Sequence, residues 1–85
     1  MSQTVVEVER TYTDCCIIKV KLTHNGYQGG DAGHGGFVHL LIKDLSSTAM
    51  FVDGEPRAEF SFRVEGDAER DVLIRAMKDI IKELE

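Results

Sequence analysis

The residues with the clearest potential for chemistry lie in one glycine-rich segment, residues 24–36. His24, Asp31 and His34 could together bind a metal ion, because imidazole and carboxylate groups are common zinc ligands. The close histidine spacing of zinc sites on rigid elements is missing, and a flexible loop holds ligand geometry poorly. The alternative hypothesis is therefore an enzyme or sensor that binds a metal or a small ligand through these three residues. The preferred hypothesis has no metal site.

The glycines of this segment do not form a nucleotide-binding motif. Six of the eight glycines of the 85-residue chain lie between Gly26 and Gly36. A phosphate-binding Walker loop needs a lysine and a hydroxyl residue after its last glycine, and a dinucleotide fingerprint leads into a helix. Here a predicted strand follows the glycines, and Asp31 would repel a phosphate. We therefore predict no cofactor.

No local motif supports a catalytic nucleophile. Cys16 alternates with Ile18 and Val20 and is expected to point inward as an inert thiol. A single sheet with one helix also offers little concavity for a substrate. An enzyme is therefore disfavoured, and no catalytic residue is predicted.

Composition narrows the classes of partner. The net charge is −5, from fifteen acidic and ten basic residues, and the basic residues form no stripe. Nucleic-acid binding depends on clustered Lys and Arg, so it is not expected. The sequence shows no signal peptide and no apolar run long enough to span a bilayer. The adjacent Cys15 and Cys16 are expected to be reduced thiols. These features predict a cytoplasmic protein without a membrane partner.

The alternation of apolar and polar residues predicts five strands, at about 5–11, 15–23, 37–44, 49–52 and 58–65. The Asp53-Gly54 pair is a hairpin signal. Residues 67–84 predict a helix, with Asp67 accepting hydrogen bonds from the amides of the first turn. Its expected inward face consists of Ala68, Val72, Ala76, Ile80 and Leu84, widened by Leu73, Met77 and Ile81. The predicted fold is α+β: a single domain, 1–85, with a five-stranded antiparallel β-meander and one C-terminal helix packed on one face.

The sheet face away from the helix is expected to be partly apolar. Phe37, His39 and Leu41 alternate with the inward residues of the third strand. One helix cannot cover both faces of a sheet, and an open antiparallel face is normally polar. We therefore expect this face to meet a second copy of the chain, giving a homodimer, or another protein.

The length of the glycine-rich loop favours a role in recognition, because long loops in small domains are often functional. The residues predicted to bind a partner are Tyr27, Asp31, His34, Phe37 and His39. The preferred function is a small soluble, non-enzymatic binding, adaptor or inhibitor-type protein with an unidentified protein partner. A glycine-rich connector without a partner is the competing interpretation, and the sequence leaves open whether the loop is ordered alone.

Overall fold

The computed structural model describes residues 5–30 and 32–85. The chain is α+β, with a four-stranded antiparallel sheet, a separate two-stranded hairpin and one C-terminal helix. In chain order the elements are β1 (Val6–Thr13), β2 (Ile17–His24), a short 3-10 turn (Ala32–His34), β3 (Phe37–Ser46), β4 (Phe51–Val52), β5 (Glu55–Pro56), β6 (Glu59–Glu65) and α1 (Asp67–Leu84). The main sheet has the order β1-β2-β3-β6. Its strands are therefore adjacent in the order in which they follow one another along the chain, and the β4-β5 hairpin is inserted between β3 and β6.

The predicted five-stranded sheet is corrected to four strands. The segment expected as the fourth strand folds back on itself, with Phe51 opposite Pro56 and Val52 opposite Glu55. Asp53 and Gly54 form the turn with positive φ angles of 53° and 78°, the geometry that suits a two-residue hairpin. This tight local turn, together with the missing amide hydrogen of Pro56, favours a short hairpin over a fifth strand of the main sheet.

The even-numbered residues of the four long strands form the face that packs against α1. Register places Val8, Leu22, Leu40 and Phe62 in one cross-strand row. The helix supplies Leu73, Ile74 and Met77 to the cleft between the two layers, which has a volume of about 350 Å³. Among the described apolar residues only Val38 is buried, at 7% exposure. The core is therefore thin and open along one side.

The opposite face of the sheet carries ion pairs. Lys21 Nζ lies 3.1 Å from Glu7 Oε1, and Lys19 Nζ lies 3.4 Å from Glu9 Oε1. Phe37, expected to contribute to an apolar surface here, has the Arg63 guanidinium 4.3 Å from its ring centroid. The half-buried apolar side chains of this face thus lie among charged groups, and most of the exposed apolar area belongs to the helix and its side of the sheet.

Helix α1 has the predicted extent, but its start differs from the prediction and the sheet covers only part of its predicted apolar face. Gly66 precedes the helix with φ 109° and ψ 154°, and no side chain caps the first turn. The predicted capping role of Asp67 is wrong, because its carboxylate turns toward the glycine-rich loop. The expected inward residues Val72 and Ile80 are 55% and 57% exposed. Of the predicted face, Leu73 and Met77 line the cleft toward the sheet, and Ala68, Val72 and Ala76 lie along a groove beside Val64 of β6.

Within residues 5–30 and 32–85, no helix combines the length and the apolar character needed to cross a membrane.

Replacing Val38 by Ala should lower the free energy of unfolding by about 2 kcal/mol, since two buried methyl groups are lost and a small cavity remains. Val72→Ala, at a position 55% exposed, is the matched control and should change stability by less than about 0.5 kcal/mol. Urea unfolding followed by circular dichroism measures both. Equal losses for the two variants would contradict the assignment of Val38 to the core.

Candidate functional site

The glycine-rich segment folds against the first turn of α1 through the carboxylate of Asp67. Oδ1 accepts a hydrogen bond from the backbone N–H of Gln28 at 3.0 Å, and Oδ2 accepts one from Gly29 at 2.8 Å. Consecutive amides converging on one carboxylate form a small anion-binding nest. The anion here is part of the protein, so this nest is filled by the chain itself.

Two backbone N–H groups at the start of the helix donate hydrogen bonds to carbonyls of the loop. The N–H of Asp67 donates to the carbonyl of Gly30 at 2.9 Å, and the N–H of Gly66 donates to the carbonyl of Gly36 at 2.9 Å. The first amides of a helix have no partner within the helix, so an outside acceptor stabilises them. We call these four hydrogen bonds the loop latch: two to the Asp67 carboxylate and two to the Gly30 and Gly36 carbonyls. The latch takes the place of a side-chain cap.

Glycine is required in the latch for conformational reasons. Gly29 donates to Asp67 with φ at 95°, in the region that residues with a Cβ rarely adopt. At Gly36 a Cβ would lie 3.4 Å from Asp67 Oδ1, at the lower limit of ordinary van der Waals contact, so the requirement for glycine is weaker there. Positive φ at Gly26, Gly29 and Gly35 gives the concentration of glycine in this segment a structural cause.

Asn25 closes the base of the loop. It is buried at 5% exposure, its Nδ2 donates to the Gly35 carbonyl at 2.8 Å, and its Oδ1 accepts from the Phe37 N–H at 3.0 Å. Its own carbonyl accepts from the Gln28 side chain at 2.5 Å. One amide side chain thus joins the end of β2 to the start of β3 across the loop.

A second set of contacts holds Tyr27 against the helix. The Tyr27 hydroxyl donates to Asp71 Oδ1 at 2.5 Å, and the guanidinium of Arg70 lies 4.6 Å from the ring centroid. Arg70 Nη1 is also 3.2 Å from His24 Nδ1, which accepts from the Gly26 N–H at 3.1 Å. Nδ1 is therefore the acceptor nitrogen of His24, and the ring proton lies on Nε2.

The hydrogen bonds of the site shift two pKa values. The backbone amide of Gln28, with further backbone amides of the loop and the charge of His34, holds the pKa of Asp67 below its usual 3.8, although desolvation opposes this. The hydrogen bond to Asp71 raises the pKa of Tyr27 above 10.0, with desolvation acting in the same direction and Arg70 opposing it. At neutral pH the site therefore holds an ionised Asp67 and a protonated Tyr27.

The structure divides the predicted partner-binding residues between two sides of the sheet. Tyr27 lies on the helix side and is 55% exposed. Phe37 and His39 lie on the opposite face, where His39 is opposite Thr23 and Arg63 in the neighbouring strands. His34 is exposed, and its ring lies so close to Gly30 that a Cβ there would be 2.5 Å from it. Asp31 lies outside the described residues.

The proposed metal ligands are only partly described. His24 lies on the helix side of the sheet and already uses Nδ1 for Gly26, beside the cationic Arg70. In the part of the chain that the structure describes, no group of three His, Cys, Asp or Glu side chains is arranged to hold a metal ion. Because Asp31 is not described, binding by His24, Asp31 and His34 together stays a prediction.

Asn25, Asp67 and Arg70 are the residues of the site that sequence reasoning missed. A sequence signal exists for two of them, since Asp67, Arg70 and Asp71 have the i, i+3, i+4 spacing that places side chains on one helix face. Three charged residues on that face suggest a polar contact, although the spacing cannot name the loop as the partner. Asn25 reads as an ordinary turn residue beside Gly26.

Comparisons with known protein families, with curated proteins and with solved structures found no match for this chain.

Replacing Gly29 by Ala should destabilise the fold by about 1–2 kcal/mol, because alanine is strained at the positive φ that the latch requires. Gly33 is the matched control: a Cβ there meets nothing within 4 Å and no positive φ is needed. Gly33→Ala should be neutral or stabilising by up to about 1 kcal/mol, since it reduces the freedom of the unfolded chain. Thermal and urea unfolding measure both. Equal tolerance at the two positions would contradict the described loop conformation.

The contribution of Asp67 should depend on pH on the acid side. Because the folded pKa lies below 3.8, the unfolded chain takes up the proton first, and the stabilisation is complete above 3.8 and lost as pH falls through the folded value. The difference in unfolding free energy between the native protein and Asp67→Asn should therefore shrink as pH is lowered below 3.8. Urea unfolding over a series of pH values measures it. If the difference in unfolding free energy did not change with pH, the charge of the Asp67 carboxylate would not contribute to stability.

Proposed function

We propose that this protein is a small cytoplasmic, non-enzymatic binding protein, of the adaptor or inhibitor type. It recognises a protein partner through the glycine-rich loop, residues 24–37, and the sheet residues beside it. The observation that carries this proposal is the loop latch, which holds a long, solvent-facing loop in one conformation. Five of the loop glycines, Gly26, Gly29, Gly30, Gly35 and Gly36, take part in hydrogen bonds, more than a simple connector between two strands would need.

Preorganisation is the physical advantage of the latch. Binding that orders a free loop loses conformational entropy, of the order of 1–2 kcal/mol for each backbone residue fixed. The bonds from Gln28 and Gly29 to Asp67 fix the loop during folding, before any partner arrives. A partner therefore meets a surface that is already shaped, and more of the contact energy appears as affinity.

The loop offers the partner groups that are common in interfaces. Tyr27 is 55% exposed and combines an apolar ring with a hydroxyl, a combination enriched at protein interfaces. His34 and the neighbouring Gly33 and Gly35 are exposed as well. Exposed glycine backbone lets a partner approach closely and bond to the main chain. The loop thus supports contacts to both side chains and backbone.

The sheet beside the loop offers a second, charged area. Phe37 with Arg63 stacked over it and the half-buried His39 lie on this face, close along the chain to the end of the loop. The chain as a whole carries a net charge of −5. An acidic protein attracts basic partners over long range. The proposed partner therefore presents a basic surface, as an inhibitor that opposes a basic site would require.

The exposed His34 and the half-buried His39 allow a direct test of this proposal. His34→Ala and His39→Ala should each weaken partner binding about tenfold or more, while Lys78→Ala on the helix should leave it unchanged. The native protein and the three variants are immobilised, proteins retained from a cell extract are identified by mass spectrometry, and the affinity of each purified protein is measured by calorimetry. Amide NMR spectra verify that each variant keeps the latch.

A partner that binds both histidine variants as tightly as the native protein would refute the proposed surface. A partner lost equally by the Lys78 control would point to the helix instead. Retention that requires added metal and is lost with His34 would favour the metal-binding alternative.

A further inference from the structure

The apolar stripe of α1 extends beyond the part that the sheet covers. Leu73 and Met77 line the cleft between helix and sheet. Ile80, Ile81 and Leu84 continue the same stripe at helical spacing, yet they are 57%, 55% and 82% exposed. The C-terminal half of the helix therefore presents an apolar surface with no cover among the described residues.

The helix side of the sheet is also only partly covered. The cleft of about 350 Å³ is lined by apolar side chains of β1, β2 and β3, among them Val8, Val20 and Leu40. Near its far end Tyr12 is 57% exposed, and Phe60 of β6 is 37% exposed. One helix anchored at its N-terminus leaves this part of the face open.

The total surface is large for a monomer of this mass. A folded 9.5 kDa chain exposes about 5,000 Å² on average, whereas this chain exposes 6304 Å². If fully solvated, the five residues outside the described ranges would expose about 800 Å², against roughly 200 Å² in the average, so they account for at most about 600 Å² of the difference. The remaining excess is close to the roughly 800 Å² that each partner buries in a standard stable interface.

We propose that a second copy of this chain covers the face. In a two-fold dimer the helix stripe of each copy packs over the open cleft of the other, so that Ile80, Ile81 and Leu84 meet the partner's sheet. In a two-fold dimer the same surface patch is used by both copies. This patch contains an uncovered helix surface and an uncovered sheet surface, so the helix of each copy can pack on the sheet of the other. A different protein would have to supply both complements at once.

The charges at the ends of the patch are compatible with this arrangement. Arg10 is the cationic side chain of β1 that lines the cleft. The last turn of the helix carries Glu83 beside the apolar stripe and Lys82 on its polar side, and Glu85 follows the helix as its C-terminal cap. Placing the helix end of one copy over the open sheet of the other brings opposite charges to the rim, where they favour the register without being buried.

This interface is separate from the proposed binding surface. It uses the opposite sheet face from Phe37 and His39 and the opposite end of α1 from the latch. His34→Ala and His39→Ala should therefore leave the dimer intact even if they abolish partner binding, and loss of the dimer should leave the latch in place.

Sedimentation equilibrium tests the proposal. The native protein should have twice the 9.5 kDa monomer mass, and Ile80→Glu should weaken the dimer at least tenfold. Lys82→Gln makes the same change in charge on the polar side of the same helix and should remain dimeric. Because Ile80 is 57% exposed, the variant should fold, and circular dichroism checks that it does. In a mixture of isotope-labelled and unlabelled native protein, filtered NOE spectra should show contacts between copies from the Ile80, Ile81 and Leu84 methyls to the Tyr12 and Phe60 rings.

A native protein that stays monomeric at millimolar concentration would overturn the proposal. A monomer that carries a bound lipid or detergent in native mass spectrometry would do the same, and would assign the cleft to a small apolar ligand. A dimer that Ile80→Glu does not weaken, or that lacks these NOE contacts, would place the interface elsewhere and equally refute it.

Discussion

The contact between the Asp67 carboxylate and two loop amides is the interaction on which the rest of the structure depends. The helix end and the loop are each incomplete alone. The helix has unpaired first-turn amides and no capping side chain, while the loop has a row of glycines that are costly to order. Each supplies what the other lacks, because the loop gives carbonyls to the helix and the helix gives a carboxylate to the loop.

This reciprocal contact determines how the helix lies on the sheet. The first turn is held by the loop latch and by the contacts of Arg70 and Asp71 to Tyr27. Farther along, the helix depends on apolar packing, and α1 packs mainly against β6 and β3. The anchored end is therefore the end with the polar contacts, and the free end carries the uncovered apolar surface. The two proposals use these two ends for different purposes, the loop for a foreign partner and the far cleft for a second copy.

Local patterns were sufficient for most of the secondary structure. The alternation in β6 and the long amphipathic run after Gly66 predict elements that the structure contains. The strand pattern near Phe51 predicts a strand of the main sheet, but such a pattern does not say which strand it pairs with. The tight Asp53-Gly54 turn gave it a nearer partner in Glu55 and Pro56.

The organisation of the site was beyond local rules because its contacts join distant parts of the chain. Asp67 fits the sequence rule for a helix cap, but its partner Gly29 lies 38 residues earlier. The place of Tyr27 in the loop predicts a recognition residue, but the sequence does not show that its hydroxyl donates to Asp71, 44 residues away. Spacing alone could show that Asp67, Arg70 and Asp71 share one helix face, and three-dimensional structure was needed to show that the loop is what they face.

Amide hydrogen exchange of Gln28 and Gly29 in the free protein at neutral pH tests the central claim most directly. If the Asp67 carboxylate holds the loop, these two amides exchange far more slowly than unprotected backbone, and their heteronuclear NOE values match those of β2 and β3. Exchange at the rate of an unfolded chain, with low NOE values across residues 26–36, would mean that the loop is not latched and would contradict the account.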